Sequence, residues 1–178
     1  MREPISKEEL VIIVDKANNE LFTATRKEMR SKKLIHRATY IIVHNFKRGI
    51  LIQKRSNSKD IYPGLWEIAA GGVVGKGESY WESAKRELYE ETGIKDCTIK
   101  EHFDFYFEDE TNRVWGRLFS CKFDGDIKDI KSQEEEVDKI KFISLDELFN
   151  NFNLEKFTPD SIYLLKKYKK ELFDIISA

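Results

Sequence analysis

Glutamates are concentrated in one short segment of the chain, at spacings that suit a metal ion. Glu87, Glu90 and Glu91 follow one another closely. A helix turns about 100° per residue, which places Glu90 and Glu91 within roughly 60° of Glu87. Three carboxylates on one face destabilise a helix by repulsion, and a cation that prefers oxygen ligands reverses this penalty. The spacing therefore predicts a site for Mg²⁺, with Mn²⁺ as an alternative.

The same segment contains signals for the start and the end of a helix. Ser79 and Glu82 form the S-x-x-E pattern of a capping box. No proline or glycine interrupts residues 80–91, and Gly93 stands where a left-handed residue would end the helix. The helical repeat groups three apolar residues about 90° away from Glu87, and we expect them to face the core: Trp81, Ala84 and Leu88.

A glycine-rich segment precedes this helix and could bring the backbone close to a ligand. It contains Gly71, Gly72, Gly75 and Gly77. Glycine permits unusual dihedral angles, and the start of a helix favours anionic groups. We therefore predict that Gly71, Gly72 and Glu78 belong to the substrate-binding loop. A tight turn from strand to helix is the alternative interpretation of these glycines, and Glu78 could itself occupy the helix start.

The combined pattern is that of a known family. Residues 72–94 read G-x5-E-x7-R-E-U-x-E-E-x-G-U, where U is an aliphatic residue. This resembles the Nudix box of the Nudix hydrolases at every position. The resemblance implies an α/β fold, with a mixed β-sheet sandwiched between α-helices, and metal-dependent hydrolysis of a diphosphate bridge. It also implies that Arg86 holds a glutamate in position, whereas spacing alone would make Arg86 the partner of Glu90 in a surface ion pair.

Shorter segments resemble one subgroup, the YfcD-type Nudix proteins: residues 36–40, 63–66, 71–72, 114–116 and 157–161. This subgroup is similar to isopentenyl-diphosphate isomerase, which is therefore the alternative enzyme. The isomerase has a catalytic cysteine and a nearby histidine after its tryptophan-containing segment, and residues 66–72 of this chain contain neither. His36 matches a metal ligand of the isomerase. Without the other ligands, we expect His36 to be a hydrogen-bonded or packing histidine.

A second acidic segment, residues 133–137, precedes a predicted strand. Many Nudix hydrolases place an additional glutamate near this point, where it binds metal or helps to activate water. Glu134, Glu135 and Glu136 are therefore candidates for the base that accepts a proton from water, and we select Glu136 among them. Glu87 is the other candidate for this base, and a solvated acidic loop is the alternative interpretation. Four aromatic residues could stack on a substrate base, but such residues usually pack in a core and no base pocket is assigned to them: Tyr62, Trp66, Phe105 and Trp115.

The predicted reaction is hydrolysis of the diphosphate bridge in a nucleoside diphosphate linked to another moiety, or in a related small molecule. The sugar, the base and the leaving group stay open. A non-catalytic Nudix-fold sensor that binds a nucleotide is a third interpretation. Such sensors commonly lose glutamates of the box, and this chain retains all of them, which favours the enzyme.

The composition limits the partners of the protein. The chain has 178 residues, of which 31 are basic and 32 acidic, and its net charge is −1. This balance gives no reason to expect nucleic acid or an anionic membrane as a partner. The sequence has no signal-peptide pattern and no membrane-spanning stretch, so we expect one cytoplasmic domain over residues 1–178, with Cys97 and Cys121 as reduced thiols. A homodimer is compatible with these features.

Hydrophobic patterning predicts the remaining elements. Strands are expected at residues 11–14, 38–44, 50–54, 102–108, 114–123 and 140–143, with a turn at 18–19 and an extended run within 61–70. Helices are expected at residues 25–32, 145–149 and 161–176, and Ser144 should cap the second of them. The last helix is amphipathic, and we expect its core contacts to be Leu164, Leu165, Tyr168, Leu172 and Ile175.

Overall fold

The computed structural model describes residues 9–133, 135–150 and 152–177. Within these ranges the chain forms eight strands: β1 Leu10–Val14, β2 Glu20–Thr25, β3 His36–Asn45, β4 Gly49–Arg55, β5 Trp66–Glu67, β6 Ile99–Glu108, β7 Arg113–Lys122 and β8 Val137–Ile143. It also forms five α-helices: α1 Arg26–Ser31, α2 Tyr80–Thr92, α3 Leu145–Asn150, α4 Pro159–Lys167 and α5 Lys169–Ser177. None of these described helices is long and apolar enough to cross a membrane.

Strand β3 is the centre of a mixed sheet. One edge of β3 pairs in parallel with β7 from His36 to His44, and β7 pairs in antiparallel with β6. The other edge meets β1 at its start and β4 at its end. Along the same edge, between the contacts with β1 and β4, Ala38 pairs with Val73 and Ile41 pairs with Ala70 of the glycine-rich segment. The glycine-rich segment is therefore held against the middle of the sheet.

Two apolar layers cover the two faces of this sheet. Alternate residues of a strand point to opposite faces, and in β3 Ile41 and Val43 pack with Ala84 and Leu88 of α2. On the other face, Ile42 packs in a cluster that contains the buried residues of the C-terminal helices: Leu145, Leu148, Leu164, Leu165, Leu172, Ile175 and Ile176. The predicted α/β fold, a mixed sheet between helices, is confirmed.

Most predicted elements are present, and three details of the prediction are wrong. Strand β2 is an edge strand whose first four residues are exposed, so it lacks the alternating pattern that would reveal it. The predicted helix at 161–176 is two helices: Tyr168 leaves the helical conformation between them, and its ring packs on Phe103. Trp81 does not lie in the core; it is exposed and rests edge-to-face on Phe119, while Ala84 and Leu88 are buried as expected.

The cysteines also differ from expectation. Cys97 follows α2, Cys121 lies in β7, and their sulfur atoms form a disulfide. The Cα atoms are 6.1 Å apart, within the usual range for such a bond. The prediction of two reduced thiols is therefore wrong for this structure. The disulfide joins the segment after α2 to a central strand, because β7 passes directly behind that helix.

Candidate active site

Helix α2 is fixed in place by both of its ends. The Ser79 hydroxyl oxygen accepts a hydrogen bond from the backbone N–H of Glu82 at 3.2 Å, and the Glu82 carboxylate accepts one from the Ser79 N–H at 2.8 Å. Gly93 ends the helix in the left-handed region with φ of 71°. The capping box and the C-cap glycine are therefore as predicted. They orient Glu87, Glu90 and Glu91 toward a pocket that all three line.

Arg86 is the centre of a charge network at this pocket. Its Nε and Nη2 donate to both carboxylate oxygens of Glu78 at 2.8 and 3.0 Å. Its Nη1 donates to Glu87 at 2.7 Å and to Glu90 at 3.1 Å. The Arg86 side chain is only 14% exposed, so it is not part of a surface ion pair. Arg86 can hold these three carboxylates in fixed positions, and its catalytic importance stays a prediction.

Glu91 is held by a different set of partners. The same oxygen of its carboxylate, Oε2, accepts from the side-chain Nε2 of Gln53 at 2.8 Å and from the backbone N–H of Gly71 at 2.9 Å. Glu91 is 1% exposed. Its position therefore depends on both β4 and the glycine-rich segment, and not on Arg86.

Two glycines are required where the glycine-rich segment meets the site. Gly71 has φ of 153°, and a Cβ at this position would collide with the backbone carbonyl of Thr39 in β3. A Cβ at Gly72 would collide with the carboxylate of Glu87. Both glycines line the pocket, and their lack of side chains lets the backbone lie directly against the glutamates.

The structure adds acidic and amide residues that the sequence analysis did not select. Glu67 in β5 accepts from Gln53 Nε2 at 2.8 Å and from Arg55 Nη1 at 2.9 Å. Gln53 therefore bridges Glu67 and Glu91, while its own Oε1 is buried and has no hydrogen-bond partner in the part of the chain that the structure describes. The sequence did contain a signal for the involvement of Gln53 and Arg55 in the site. They are polar residues two positions apart, on one face of a strand that begins as an apolar run.

Of the second acidic segment, Glu136 reaches the pocket. It lines the pocket and forms an ion pair with Lys59 Nζ at 2.8 Å. The side chain of Glu135 is exposed, and its backbone carbonyl accepts a hydrogen bond from Ser58. Glu134 lies outside the described residues. The structure thus brings Glu136 and Glu87 to one pocket, and the role of each as a base stays a prediction.

Three carboxylates of this pocket hold their protons more tightly than usual: Glu87, Glu90 and Glu91. Burial raises the pKa of Glu87 to about 7 in spite of the opposing charge of Arg86, and the negative charges of Glu90 and Glu136 add to the effect. Burial and the charge of Glu67 raise the pKa of Glu91 to about 8. Burial also raises the pKa of Glu90. For Arg86, the carboxylates of Glu78 and Glu87 outweigh the effect of burial, so its pKa is raised and it stays charged.

This donor set fits a hard divalent cation. Buried carboxylates with raised pKa values have too little positive charge around them, and Mg²⁺ prefers such oxygen ligands. Within the described ranges, no three acidic, histidine or cysteine side chains are gathered into a ready-made metal cluster. Arg86 holds Glu87 and Glu90, whereas Gln53 and Gly71 hold Glu91. The assignment of Glu87, Glu90 and Glu91 as metal ligands therefore stays a prediction.

Another part of the pocket lining is basic, and we call it the basic wall. It includes Arg26 and Arg30 of α1, with Asn112 beside them. Burial, followed by the charge of Arg30, lowers the pKa of His36 to about 3, so this histidine is neutral. The Nδ1 atom of His36 lies 3.1 Å from the carbonyl of Leu34. These contacts agree with the expectation that His36 is a hydrogen-bonded or packing histidine.

Two further features bear on the alternatives considered for the chain. Ala69 and Ala70, in the segment where the isomerase has its cysteine, line the pocket with methyl groups that cannot transfer protons. Of the four aromatic residues that could stack on a base, Tyr62 lines the pocket, and its hydroxyl donates to Asp109 at 2.6 Å. The other three, Trp66, Phe105 and Trp115, do not line it.

The fold and the helix that carries the glutamates define a NUDIX domain, and the model of that family matches residues 34–168. A Nudix hydrolase of Yersinia pestis is 44% identical over 164 residues, which are 92% of this chain and 87% of the relative. YfcD of Escherichia coli K12 is 42% identical over 166 residues, which are 93% of this chain and 89% of the relative. The chain belongs to the Nudix hydrolase family, as a YfcD-like member, and is an enzyme of that family.

Solved structures agree with this fold. DR0079 from Deinococcus radiodurans superposes with a TM-score of 0.76 at 18% identity, over 89% of this chain and 98% of that one. The NUDIX domain of Shewanella oneidensis NrtR, solved with ADP ribose, gives a TM-score of 0.62 at 16% identity, over 84% of this chain and 99% of that one. At these identities the similarity shows the fold alone.

Proposed function

We propose that this protein hydrolyses the diphosphate bridge of a nucleoside diphosphate linked to another moiety, or of a related small molecule, with Mg²⁺ or Mn²⁺ as cofactor. One observation above all supports the proposal: Glu87, Glu90, Glu91 and Glu136 line one pocket together with the backbone of Gly71. Four carboxylates from two separate segments are costly to bring together unless cations offset their charge.

The glutamates of the pocket and Arg86 would have different roles in this reaction. Glu87, Glu90 and Glu91 would hold the cation, with Glu67 and Glu136 beside them. When bound, Mg²⁺ supplies neutralisation of phosphate charge and a lower pKa for water. Arg86 keeps Glu87 and Glu90 in place by hydrogen bonds at 2.7 and 3.1 Å.

Glu136 or Glu87 accepts the proton of the attacking water. Glu136 is paired with Lys59 and is 26% exposed, whereas Glu87 is nearly fully buried and paired with Arg86. A base must be able to exchange its proton with solvent after each turnover. The greater exposure of Glu136 favours it for this role.

The direct test is a screen of diphosphate compounds with Mg²⁺ or Mn²⁺, in which mass spectrometry identifies both products. We expect two phosphorylated fragments from at least one nucleotide sugar, dinucleotide, ADP-ribose or coenzyme A compound, and no products in excess EDTA. Full activity in EDTA would reject the metal site. Tight binding of a nucleotide without turnover of any compound would favour the sensor alternative.

The isomerase alternative has its own test. Isomerisation of a prenyl diphosphate needs an acid and a base beside the alkene, and Ala69 and Ala70 supply neither. We expect no allylic isomer when isopentenyl diphosphate is incubated with the protein and Mg²⁺. Proton NMR of the substrate is the measurement, and enzyme-dependent formation of dimethylallyl diphosphate would overturn the choice of reaction class.

The cytoplasmic location and the absence of a nucleic-acid or membrane partner belong to the same proposal. The net charge of −1 supports a small-molecule partner. The disulfide between Cys97 and Cys121 argues against the location, because cytosolic proteins keep their thiols reduced. Alkylation of thiols in freshly lysed cells would decide this point. Sedimentation of the purified protein, which measures the mass of the particle in solution, would test the proposed homodimer.

A further inference from the structure

The basic wall of the pocket contains an arginine whose hydrogen bonds are incomplete. Nη1 of Arg30 donates to the side-chain Oδ1 of Asn112 at 3.0 Å. Nε of Arg30 is buried and has no hydrogen-bond partner among the described residues. Within residues 9–133, 135–150 and 152–177, no carboxylate lies within ion-pair distance of Arg30. The edge of the guanidinium formed by Nε and Nη2, which binds oxyanions in a two-pronged manner, is therefore left without an acceptor.

The surroundings of Arg30 make this arrangement costly. Burial, followed by the charge of Arg26, lowers the pKa of Arg30 to about 10, and Arg55 adds to the repulsion. The charge of Asp60 offsets only part of these effects. Arg86 differs from Arg30 in this respect, because its side chain is only 14% exposed but contacts three carboxylates. A partly buried cation with a buried Nε, one neutral partner and cationic neighbours costs stability unless an anion joins it.

We propose that Arg30 binds a phosphate group of the substrate that is separate from the diphosphate bridge held at the glutamates. The inference rests on the proposed function, and it narrows the substrate to diphosphate compounds with a further phosphate. Arg30 and the glutamates Glu87, Glu90 and Glu91 line the same pocket, so one molecule can reach both walls. The diphosphate would lie at the acidic wall, and the additional phosphate at the basic wall.

The charge around Arg30 favours phosphate over carboxylate. Arg55 already has Glu67 as a partner, and Lys59 has Glu136. Arg30 has no such ion pair among the described residues, and the positive charge of Arg26 beside it strengthens the attraction for an anion with more than one negative charge. A phosphate monoester carries about −1.5 to −2 charges at neutral pH and offers three acceptor oxygens. A carboxylate supplies only one negative charge, and it would leave more of the repulsion between Arg30 and the neighbouring arginines uncompensated.

Binding of inorganic phosphate in EDTA tests the proposal without any need for turnover. Isothermal titration of the wild-type protein should show saturable binding of phosphate, and acetate should bind at least about tenfold more weakly. Arg30→Gln should weaken phosphate binding about tenfold or more, the effect of losing a charge-assisted hydrogen bond. Arg113→Gln is the matched control, because it removes a nearby, exposed arginine that does not line the pocket, and it should bind phosphate as the wild type does.

A second variant guards against misfolding of Arg30→Gln. Asn112→Asp keeps the size of the side chain and the oxygen that accepts from Arg30, and it adds the carboxylate that Arg30 lacks. It should weaken phosphate binding several-fold while leaving the thermal unfolding temperature equal to or above that of the wild type.

Three results would overturn the proposal: no saturable phosphate binding by the wild type, equal phosphate affinity in Arg30→Gln, or equal affinity for acetate and phosphate. Because these titrations are performed without metal, they stand apart from the screen for hydrolysis. A protein that binds phosphate at Arg30 but cleaves no diphosphate would refute the proposed function and leave this site intact.

Discussion

The acidic and the basic walls of the pocket satisfy their charges in opposite ways. On the acidic wall, Arg86 contacts Glu78, Glu87 and Glu90, so the charges of α2 stabilise one another before any ligand arrives. On the basic wall, Arg30 has only the neutral Asn112 as a hydrogen-bond partner in the described chain. The difference indicates that the acidic wall is organised by the protein itself, whereas the basic wall is completed by what binds there.

The largest effect should come from Glu91, the carboxylate of the acidic wall that Arg86 does not hold. Glu91→Gln should lower kcat on the order of 10³-fold, because it removes a charge that would bind the cation at nearly constant shape. The fold should persist, since the amide of Gln53 can turn and use its unpaired Oε1 as an acceptor. Steady-state kinetics measure the loss, and Glu171→Gln, an exposed change on α5, is the control. Unchanged turnover would remove Glu91 from the site.

The second effect concerns the internal balance of the acidic wall. Arg86→Gln leaves Glu78, Glu87 and Glu90 without their shared cation, and we expect the free energy of unfolding to fall by about 3 kcal/mol. Urea denaturation of the metal-free protein measures this change. Arg113→Gln removes an arginine whose ion pair is long, at 3.6 Å, and exposed, so it should change stability by less than about 0.5 kcal/mol. Equal stability of the two variants would show that Arg86 does not balance this wall.

The third effect separates two neighbouring glutamates. Glu136→Gln should lower kcat about 10²-fold with little change in KM, the pattern expected when a group acts in the chemical step. Glu135→Gln should be nearly silent, because its side chain is exposed and does not line the pocket. If both variants keep full activity, the segment is a solvated acidic loop and Glu87 becomes the better candidate for the base.

The smallest effect is a dependence of stability on pH. Burial and the charge of Glu67 raise the pKa of Glu91 in the folded protein to about 8, from its usual value of 4.5. The folded state therefore retains a proton that the unfolded state releases, and the stabilising contribution is lost progressively as pH rises between these two values. In EDTA, the unfolding temperature of the wild type should fall more steeply from pH 5 to pH 8 than that of Glu91→Gln. Identical slopes would mean that Glu91 titrates normally.

The contrast between the walls also explains what the sequence could predict. Glu87, Glu90 and Glu91 of the acidic wall lie close together in the chain, so the helical repeat alone predicts that they share one face. The basic wall depends on contacts such as that between Arg30 and Asn112, which are 82 positions apart. No local pattern reports such a contact. The same limit applies to Glu67, which meets Glu91 only through Gln53 of another strand.

Local patterns failed in the fold for related reasons. Strands β3, β4 and β7 were predictable because their apolar residues are buried in long runs. Edge strand β2 is mostly exposed, and the break at Tyr168 coincides with packing on Phe103, which is distant in sequence. The disulfide was missed because Cys97 and Cys121 have no spacing motif and meet only when β7 is placed behind α2.

The parallel pairing of β3 with β7 has a consequence for how the protein folds. The two strands are joined by a long stretch of chain that includes the glycine-rich segment and all of α2. Contacts between residues so distant in sequence form slowly, because the entropy of closing the loop must be lost before the contacts stabilise it. Helix α2 can begin to form early from its own capping signals, but its carboxylates meet Gly71 and Gln53 only after the central strands have assembled. We therefore expect the pocket to be among the last parts of the molecule to become native, in a folding reaction that takes roughly milliseconds to seconds.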